Sequence, residues 1–235
     1  ADDTSFVLQH GYKPAAIRHT RYVITLDADS YMPTGTAARL VGAMAHPLNC
    51  ARFDESSDRV VGGYTVIQPR LETNPVTGAD TYFARIFAGD VMLDLYTNAV
   101  SNVYQDLFGD AVFAGKGIYD VDAFRRSVAR KVPPNTVLSH DLLEGLLGRA
   151  GLASDIVLLE NYPSNYLIYL KRLHRWVRGD WQLMPWLTKR DHSNTRAFNP
   201  GMIGRWKLID NLRRSLVTPA ILALLVVGWI WLPSS

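Results

Sequence analysis

Cysteine is almost absent from this chain: Cys50 stands alone among 235 residues. One thiol excludes an internal disulfide framework and a cysteine-rich zinc site, and it fits a reducing compartment. No initiator methionine and no signal peptide open the sequence, which begins ADDTSFVLQHGYK. Residues 1–20 read as a polar lead-in, the start of a piece cut from something longer. Internal repeats and low-complexity linkers are also missing. Charged residues make up 20% and apolar residues 48%, which excludes both a disordered chain and a wholly membrane-embedded one. The length suffices for one substantial core with an appended segment.

Charge is sparse but unevenly placed. The net +3 conceals a basic stretch, residues 171–214, with eleven Lys or Arg against three acids, Asp180, Asp191 and Asp210. Just beyond it, residues 216–232 (LVTPAILALLVVGWIWL) run for seventeen residues without a charge. A bilayer span usually takes about 20 apolar residues, so the run reads as a short transmembrane segment or as a buried core helix. Trp229 and Trp231 at one end and RWKLIDNLRRS at the other favour the membrane. The positive-inside tendency then places everything before Leu216 on the cytoplasmic side of an inner (cytoplasmic) membrane. Residues 199–215, with Pro200 near the first turn and Arg or Lys on one face, predict an interfacial amphipathic helix. Basic residues beside such a segment answer lipid headgroups or a diphosphate, so no nucleic acid partner is expected.

Strands alternate with helices along residues 21–190, which argues for an α/β sheet. Tyr22 to Leu26 is short and β-branched and reads as a buried strand of a mostly parallel sheet. GTAARLVGAMAH has helical spacing, and RVVGGYTVIQPR reads as a strand ended by Pro69. ADTYFARIFAGD and LYTNAVSNVYQDLFG look helical, and AVFAGKGIYD looks like a strand entering a glycine turn. SHDLLEGLLGRAG predicts about three helical turns, with Ser139 as N-cap and Gly151 as stop. LASDIVLLE is a further strand, and residues 164–189 form a helix rich in aromatic and basic residues.

Four features carry chemistry. Asp27 and Asp29 end the first strand, and on an extended backbone residues two apart point the same way. Two such carboxylates suggest a metal site at the sheet's carboxyl end, where open α/β sheets bind ligands, or else a solvated Asp-rich turn. Gly115 and Gly117 flank Lys116, and glycines there let a ligand approach the backbone or make a tight turn. The P-loop spacing GxxxxGK[ST] is absent. Asp141 begins a helix beside His140, either as a dipole partner or as a general base kept ionised by backbone N–H groups. In KRLHRWVRGDWQ, Arg172, Arg175 and Trp176 share a helical face: Arg forks suit phosphate, and Trp offers a flat platform.

Taken in order, a DxD, a glycine turn, an Asp before a helix and an RxxRW helix resemble a known set. They are similar to the processive family-2-type glycosyltransferases of GT-A fold, which include cellulose and hyaluronan synthases. The wording YVITLDADS, AHPLN, YQDLFG, GKGIYDVDAF, LSHDLLEG, HRWVRGDWQ and DNLRRSLV most resembles the glycosyltransferase domain of cyclic β-1,2-glucan synthases. The resemblance runs from Arg21 to the apolar tail.

It implies an inverting glucosyltransferase working from UDP-glucose onto a growing glucan, as part of a larger synthase. Asp27 and Asp29 would hold Mg²⁺ or Mn²⁺ against the donor diphosphate, with Arg172 and Arg175 meeting departing charge. Asp141 would be the catalytic base. Gly115, Lys116, Gly117 and Trp176 would line the acceptor's path. The fold implied is a GT-A-like mixed sheet flanked by helices, followed by the interfacial helix and one transmembrane helix.

Two departures accompany the likeness. The family motif usually reads Gln-x-x-Arg-Trp, but Arg172 holds the first position. A nucleotide-binding strand normally precedes the DxD strand, and no such strand is evident in residues 1–20, so the expectation is an incomplete donor site. Three rival readings remain: another processive β-glycan synthase, a non-catalytic membrane-associated fragment, and a haloacid-dehalogenase-type phosphatase. The last rests on the DxD and on Gly89-Asp90 to Asp94, but Tyr31 replaces the expected Thr or Val and the motif order is reversed.

Overall fold

A computed structural model describes residues 19–88, 102–128, 131–132, 141–188 and 200–231. Ser139, His140 and the acidic segment Gly89 to Asp94 lie outside the described residues. Seven strands are present among those described: β1 (Tyr22–Thr25), β2 (Ser30–Tyr31), β3 (Arg52–Asp54), β4 (Arg59–Gly62), β5 (Val66–Thr73), β6 (Gly117–Asp120) and β7 (Ala150–Glu160). The helices are α1 (Thr36–Ala45), α2 (Pro75–Asp80), α3 (Tyr82–Phe87), α4 (Val103–Phe108), α5 (Val121–Val128), α6 (Asp141–Gly148), α7 (Tyr166–Gln182), α8 (Pro185–Thr188) and α9 (Gly201–Trp231).

Five strands form one mixed sheet in the order β1-β6-β5-β7-β2, and β3 and β4 pair as a separate ribbon. The fold is α/β, a mixed sheet flanked by helices, as expected. Successive strand residues face opposite sides, which assigns the layers. Ile67 and Ile118 pack with Leu40 and Met44 of α1, whereas their neighbours Val66 and Tyr119 pack with Phe113 and Ala150. Beyond Phe113 lies a cluster built from Leu142, Leu143 and Leu147 of α6, with Leu183, Trp186 and Leu208.

Several local expectations change. β1 is antiparallel to β6 and lies at the end of the described strand order, so Val23 is exposed, not buried. Among the described strands, only β5 and β7 pair in parallel. Pro69 sits inside β5, where the ladder to β7 jumps from Pro69↔Ala153 to Arg70↔Val157. A bulge tolerates a residue without an N–H, and the pairing with β6 covers only Val66 and Ile67. The strand around GKGIYD follows the glycine turn instead of entering it. Helix α6 is about two turns long and ends at Gly148, and Gly151 belongs to β7.

The segments expected as an interfacial helix and a membrane helix form one continuous helix, α9. Its first half docks on the core through Gly204, Lys207, Leu208 and Leu212. The buried Lys207 ammonium donates to the carbonyls of Asp110 (2.8 Å) and Ala111 (3.1 Å) and pairs with the Asp110 carboxylate. From Leu216 onward the helix is exposed, Trp229 by 90%, and it is the one described helix long and apolar enough to cross a membrane.

Candidate active site

Asp27 to Asp29 do not continue the strand. They form a turn between β1 and β2, closed by a hydrogen bond from Ser30 N–H to the Asp27 carbonyl (3.0 Å). The same-side argument for an extended backbone therefore does not apply, and each carboxylate finds its own cation. Asp27 meets the Lys116 ammonium at 3.1 Å, and Asp29 meets the Arg172 guanidinium at 3.3 Å. Both cations then converge on Glu160, which pairs with Lys116 and lies 3.4 Å from Arg172. Glu160 terminates β7 and is 3% exposed, so it is the buried pivot of a five-residue network.

Lys116 is 5% exposed. Burial alone would lower its pKa, but Glu160 and then Asp27 outweigh burial, and the net direction is upward. Lys116 is therefore a fixed positive charge at neutral pH and not a proton acceptor. Its Nζ sits between the Asp27 and Glu160 carboxylates. The glycines beside it serve different ends. A Cβ on Gly117 would lie 2.3 Å from the Ile67 carbonyl oxygen, so this glycine permits strand packing.

Gly115 instead meets Asp141. A Cβ there would fall 2.9 Å from the Asp141 carboxyl carbon, and Gly115 has φ +87°, where side chains are strained. The Asp141 carboxylate, on the first residue of α6, thus covers the Gly115 backbone. Gln68 holds this loop in place: its buried amide donates to the Val112 carbonyl and accepts from Ala114 N–H, both at 2.8 Å. Gly115→Ala is expected to displace the carboxylate and reduce any activity depending on it at least tenfold, with a smaller change in melting temperature. Equal activity in this variant would show that the contact is unimportant.

Helix α7 divides the surroundings of this turn into two clefts. Asp27, Asp29, Lys171, Arg172 and Arg175 line an open cleft with Asn161 and Ser164 at its edge. Trp176, one turn beyond Arg172, lines a separate pocket with Asp141, Phe113 and Ala114. The Arg172 guanidinium lies 4.9 Å from the Trp176 ring centroid and joins the two clefts. All nine sequence-derived site residues therefore gather around one turn, but on two sides of it.

The open cleft has the donors for a polyanion. Arg172 Nε is buried without a hydrogen-bond partner, and Arg175 and Lys171 border the same space. No cluster of three or more acidic, His or Cys metal ligands exists among the described residues. Asp27 and Asp29 each contribute only Oδ2 to their ion pairs, and their side chains are 51% and 40% exposed. A hard divalent cation bound through one or two carboxylates plus ligand phosphates fits that arrangement. Arg172, where the family motif has Gln, bridges Asp29 and Glu160, a pairing that suits a cation.

Sequence reading did not single out Glu160, Gln68, Asp180, Asn211 or Arg214. Glu160 had a usable signal: IVLLE is an apolar strand ending in an acid, the same pattern as VITLD. The others are polar residues whose roles depend on contacts more than 30 positions away.

No protein-family model matches this chain. It is 42% identical over 98% of its length to the cyclic β-(1,2)-glucan synthase NdvB of Rhizobium meliloti. It is 30% identical over 88% of its length to the glucans biosynthesis glucosyltransferase H of Bradyrhizobium diazoefficiens. The chain spans 8% of the first relative's length and 26% of the second's. The likeness inferred from the motifs is thus borne out, and this chain is homologous along nearly its whole length to one segment of a cyclic β-(1,2)-glucan synthase.

Proposed function

We propose that this chain is the catalytic segment of a larger, membrane-bound synthase that transfers glucose from UDP-glucose to a growing β-1,2-glucan. The observation that carries the reading is the Asp141 carboxylate lying against Gly115 in a Trp176-lined pocket, with a cationic cleft lined by Asp27, Asp29, Arg172 and Arg175 reached through the Arg172–Trp176 contact. The names of the two relatives, a glucan synthase and a glucosyltransferase, support glucosyl transfer, and the exposed apolar half of α9 supports membrane attachment. On the charge asymmetry of the sequence, that membrane is the inner one and the catalytic part lies on its cytoplasmic side.

In this reading Asp141 takes the proton from the acceptor hydroxyl as its oxygen attacks the anomeric carbon. The bond from that carbon to the diphosphate oxygen breaks, its electron pair leaves with UDP, and one displacement turns an α-linked donor into a β-linked product. Arg172 and Arg175 bind the diphosphate and meet the growing charge. Asp27 and Asp29 would hold a divalent cation, Mg²⁺ or Mn²⁺, whose chemistry is to neutralise that diphosphate. Lys116 and Glu160 keep the Asp27 turn and Arg172 in register, a role for Lys116 beside the acceptor-lining one that the resemblance implies.

The test is calorimetric titration of UDP with Mn²⁺ into the chain held in detergent micelles, beside an Asp29→Ala variant. Weak metal-dependent binding, as an incomplete donor site allows, is expected to fall at least tenfold in the variant. Binding of equal strength with and without Asp29 would contradict the donor site. Release of phosphate from a small aryl phosphate would instead favour the phosphatase reading.

A further inference from the structure

The second pocket has a wall that comes from the base of the apolar helix. Asn211 and Arg214 of α9 line it together with Asp141 and Trp176. They stand three residues apart and so share one helical face, whereas Arg213 turns away to pair with Asp210 at 3.6 Å. Both are fixed by Asp180, a carboxylate 6% exposed on α7, one turn past Trp176. Arg214 donates to it through Nε (3.0 Å) and its terminal nitrogen (3.1 Å), and the Asn211 amide donates to Oδ1. Arg214 also donates to the Asn211 side-chain oxygen Oδ1 at 3.0 Å, and its guanidinium lies 5.4 Å from the Trp176 ring centroid.

The two clefts differ in charge chemistry. In the open cleft Lys171, Arg172 and Arg175 give a cationic border. In this pocket the Arg214 charge is matched by Asp180, the Asp141 carboxylate adds a hydrogen-bond acceptor, and the remaining wall is Val112, Phe113, Ala114, Leu142 and Leu183. A pocket with an indole, apolar side chains, a fixed amide, an ion pair and one carboxylate able to accept from a hydroxyl suits an uncharged polyhydroxyl ligand. Its CH faces lie on the apolar surface, and its hydroxyls bond to the amide and the fork.

We propose that Asn211 and Arg214 are specificity residues of a sugar-binding pocket, so that α9 both anchors the chain and forms one wall of the acceptor site. The proposal rests on the glucosyltransferase reading for the identity of the sugar. It makes the docked half of α9 part of the site itself: a helix shifted on the core would carry the wall away from Asp141.

The probe is the β-1,2-linked glucose disaccharide and its tetrasaccharide, titrated into the full chain in micelles and followed by Trp fluorescence and saturation-transfer NMR. Arg214→Ala and Asn211→Ala are each expected to weaken oligosaccharide binding at least tenfold while UDP–Mn²⁺ affinity stays within twofold. If Arg214→Ala fails to fold, Asn211→Ala carries the test, because it leaves the Asp180–Arg214 pair in place. Undiminished oligosaccharide affinity in Asn211→Ala, with UDP–Mn²⁺ binding normal, overturns the proposal and leaves the glucosyltransferase reading standing. Loss of both affinities together in Asn211→Ala also overturns it, since the amide would then act only through general structure. Oligosaccharide binding that depends on Asn211 in a chain that does not bind UDP–Mn²⁺ supports the pocket and removes support from the donor-site reading.

Discussion

Asp141→Asn is expected to lower glucosyl transfer from UDP-glucose by about 10²- to 10⁴-fold, the usual contribution of a positioned general base. Asn has the shape of Asp and keeps the contact with Gly115, where a Cβ would already lie within 3 Å of the carboxylate. What it lacks is an oxygen able to take the acceptor proton. Binding of UDP and Mn²⁺ is expected to stay unchanged, because Asp27, Asp29 and the α7 cations lie in the other cleft. Initial rates of labelled glucose incorporation, measured beside a UDP titration, check both halves. A rate within threefold of the unsubstituted protein would remove Asp141 from the chemistry and favour a non-catalytic role.

Glu160→Ala is expected to be the most damaging substitution for stability, by about 3 kcal/mol, because removing one partner strands buried charge. Glu160 touches both Lys116 and Arg172, and Asp27 and Asp29 reach each cation only from the more exposed side. Without the pivot, the Lys116 ammonium keeps a single carboxylate in a site where it is 5% exposed. Because the folded-state pKa of Lys116 is raised, its contribution to stability is fully present below its ordinary value of 10.5. It is lost as pH rises through the raised value. The difference between Glu160→Ala and the unsubstituted chain is therefore expected to hold constant across neutral pH and to shrink only in strong alkali. Urea unfolding at several pH values measures this directly. A loss below about 1 kcal/mol would mean that the two aspartates suffice, as many exposed pairs contribute no more than that.

The same variant separates two roles for Arg172. If Arg172 is held for the diphosphate by Glu160, UDP affinity should fall with stability. If Arg172 reaches the diphosphate unaided, stability alone should fall. The buried, partnerless Arg172 Nε favours the first outcome, since it marks a donor oriented by the network and not by a ligand of its own.

Legibility differed by kind of residue. Asp27, Asp29, Asp141, Arg172, Arg175 and Trp176 were readable because they sit in motifs, each at the end of an apolar strand or on one face of a helix. Their roles were implied by the resemblance, and the fold places them around one turn. Lys116 was readable as a residue but its ion pairs were not: its partners Glu160 and Asp27 lie 44 and 89 positions away. The strand ended by Pro69 was misjudged for a similar reason. Whether a proline ends a strand depends on which neighbour needs its missing N–H, and the bulge facing Ala153 and Val157 supplies the exception.

By itself the sequence determined the alternation of strands and helices, the single thiol, the uncharged run after a basic stretch, and the motif order that points to glucan synthesis. These are properties of composition and local spacing, and they survive without any knowledge of neighbours. Tertiary structure alone decided that the two DxD carboxylates answer separate cations, that Glu160 joins them, and that Asn211 and Arg214 of α9 reach the pocket of Asp141. Each of these depends on long-range ion pairs and hydrogen bonds, whose strength comes from burial, and burial exists only once the sheet and helices have packed.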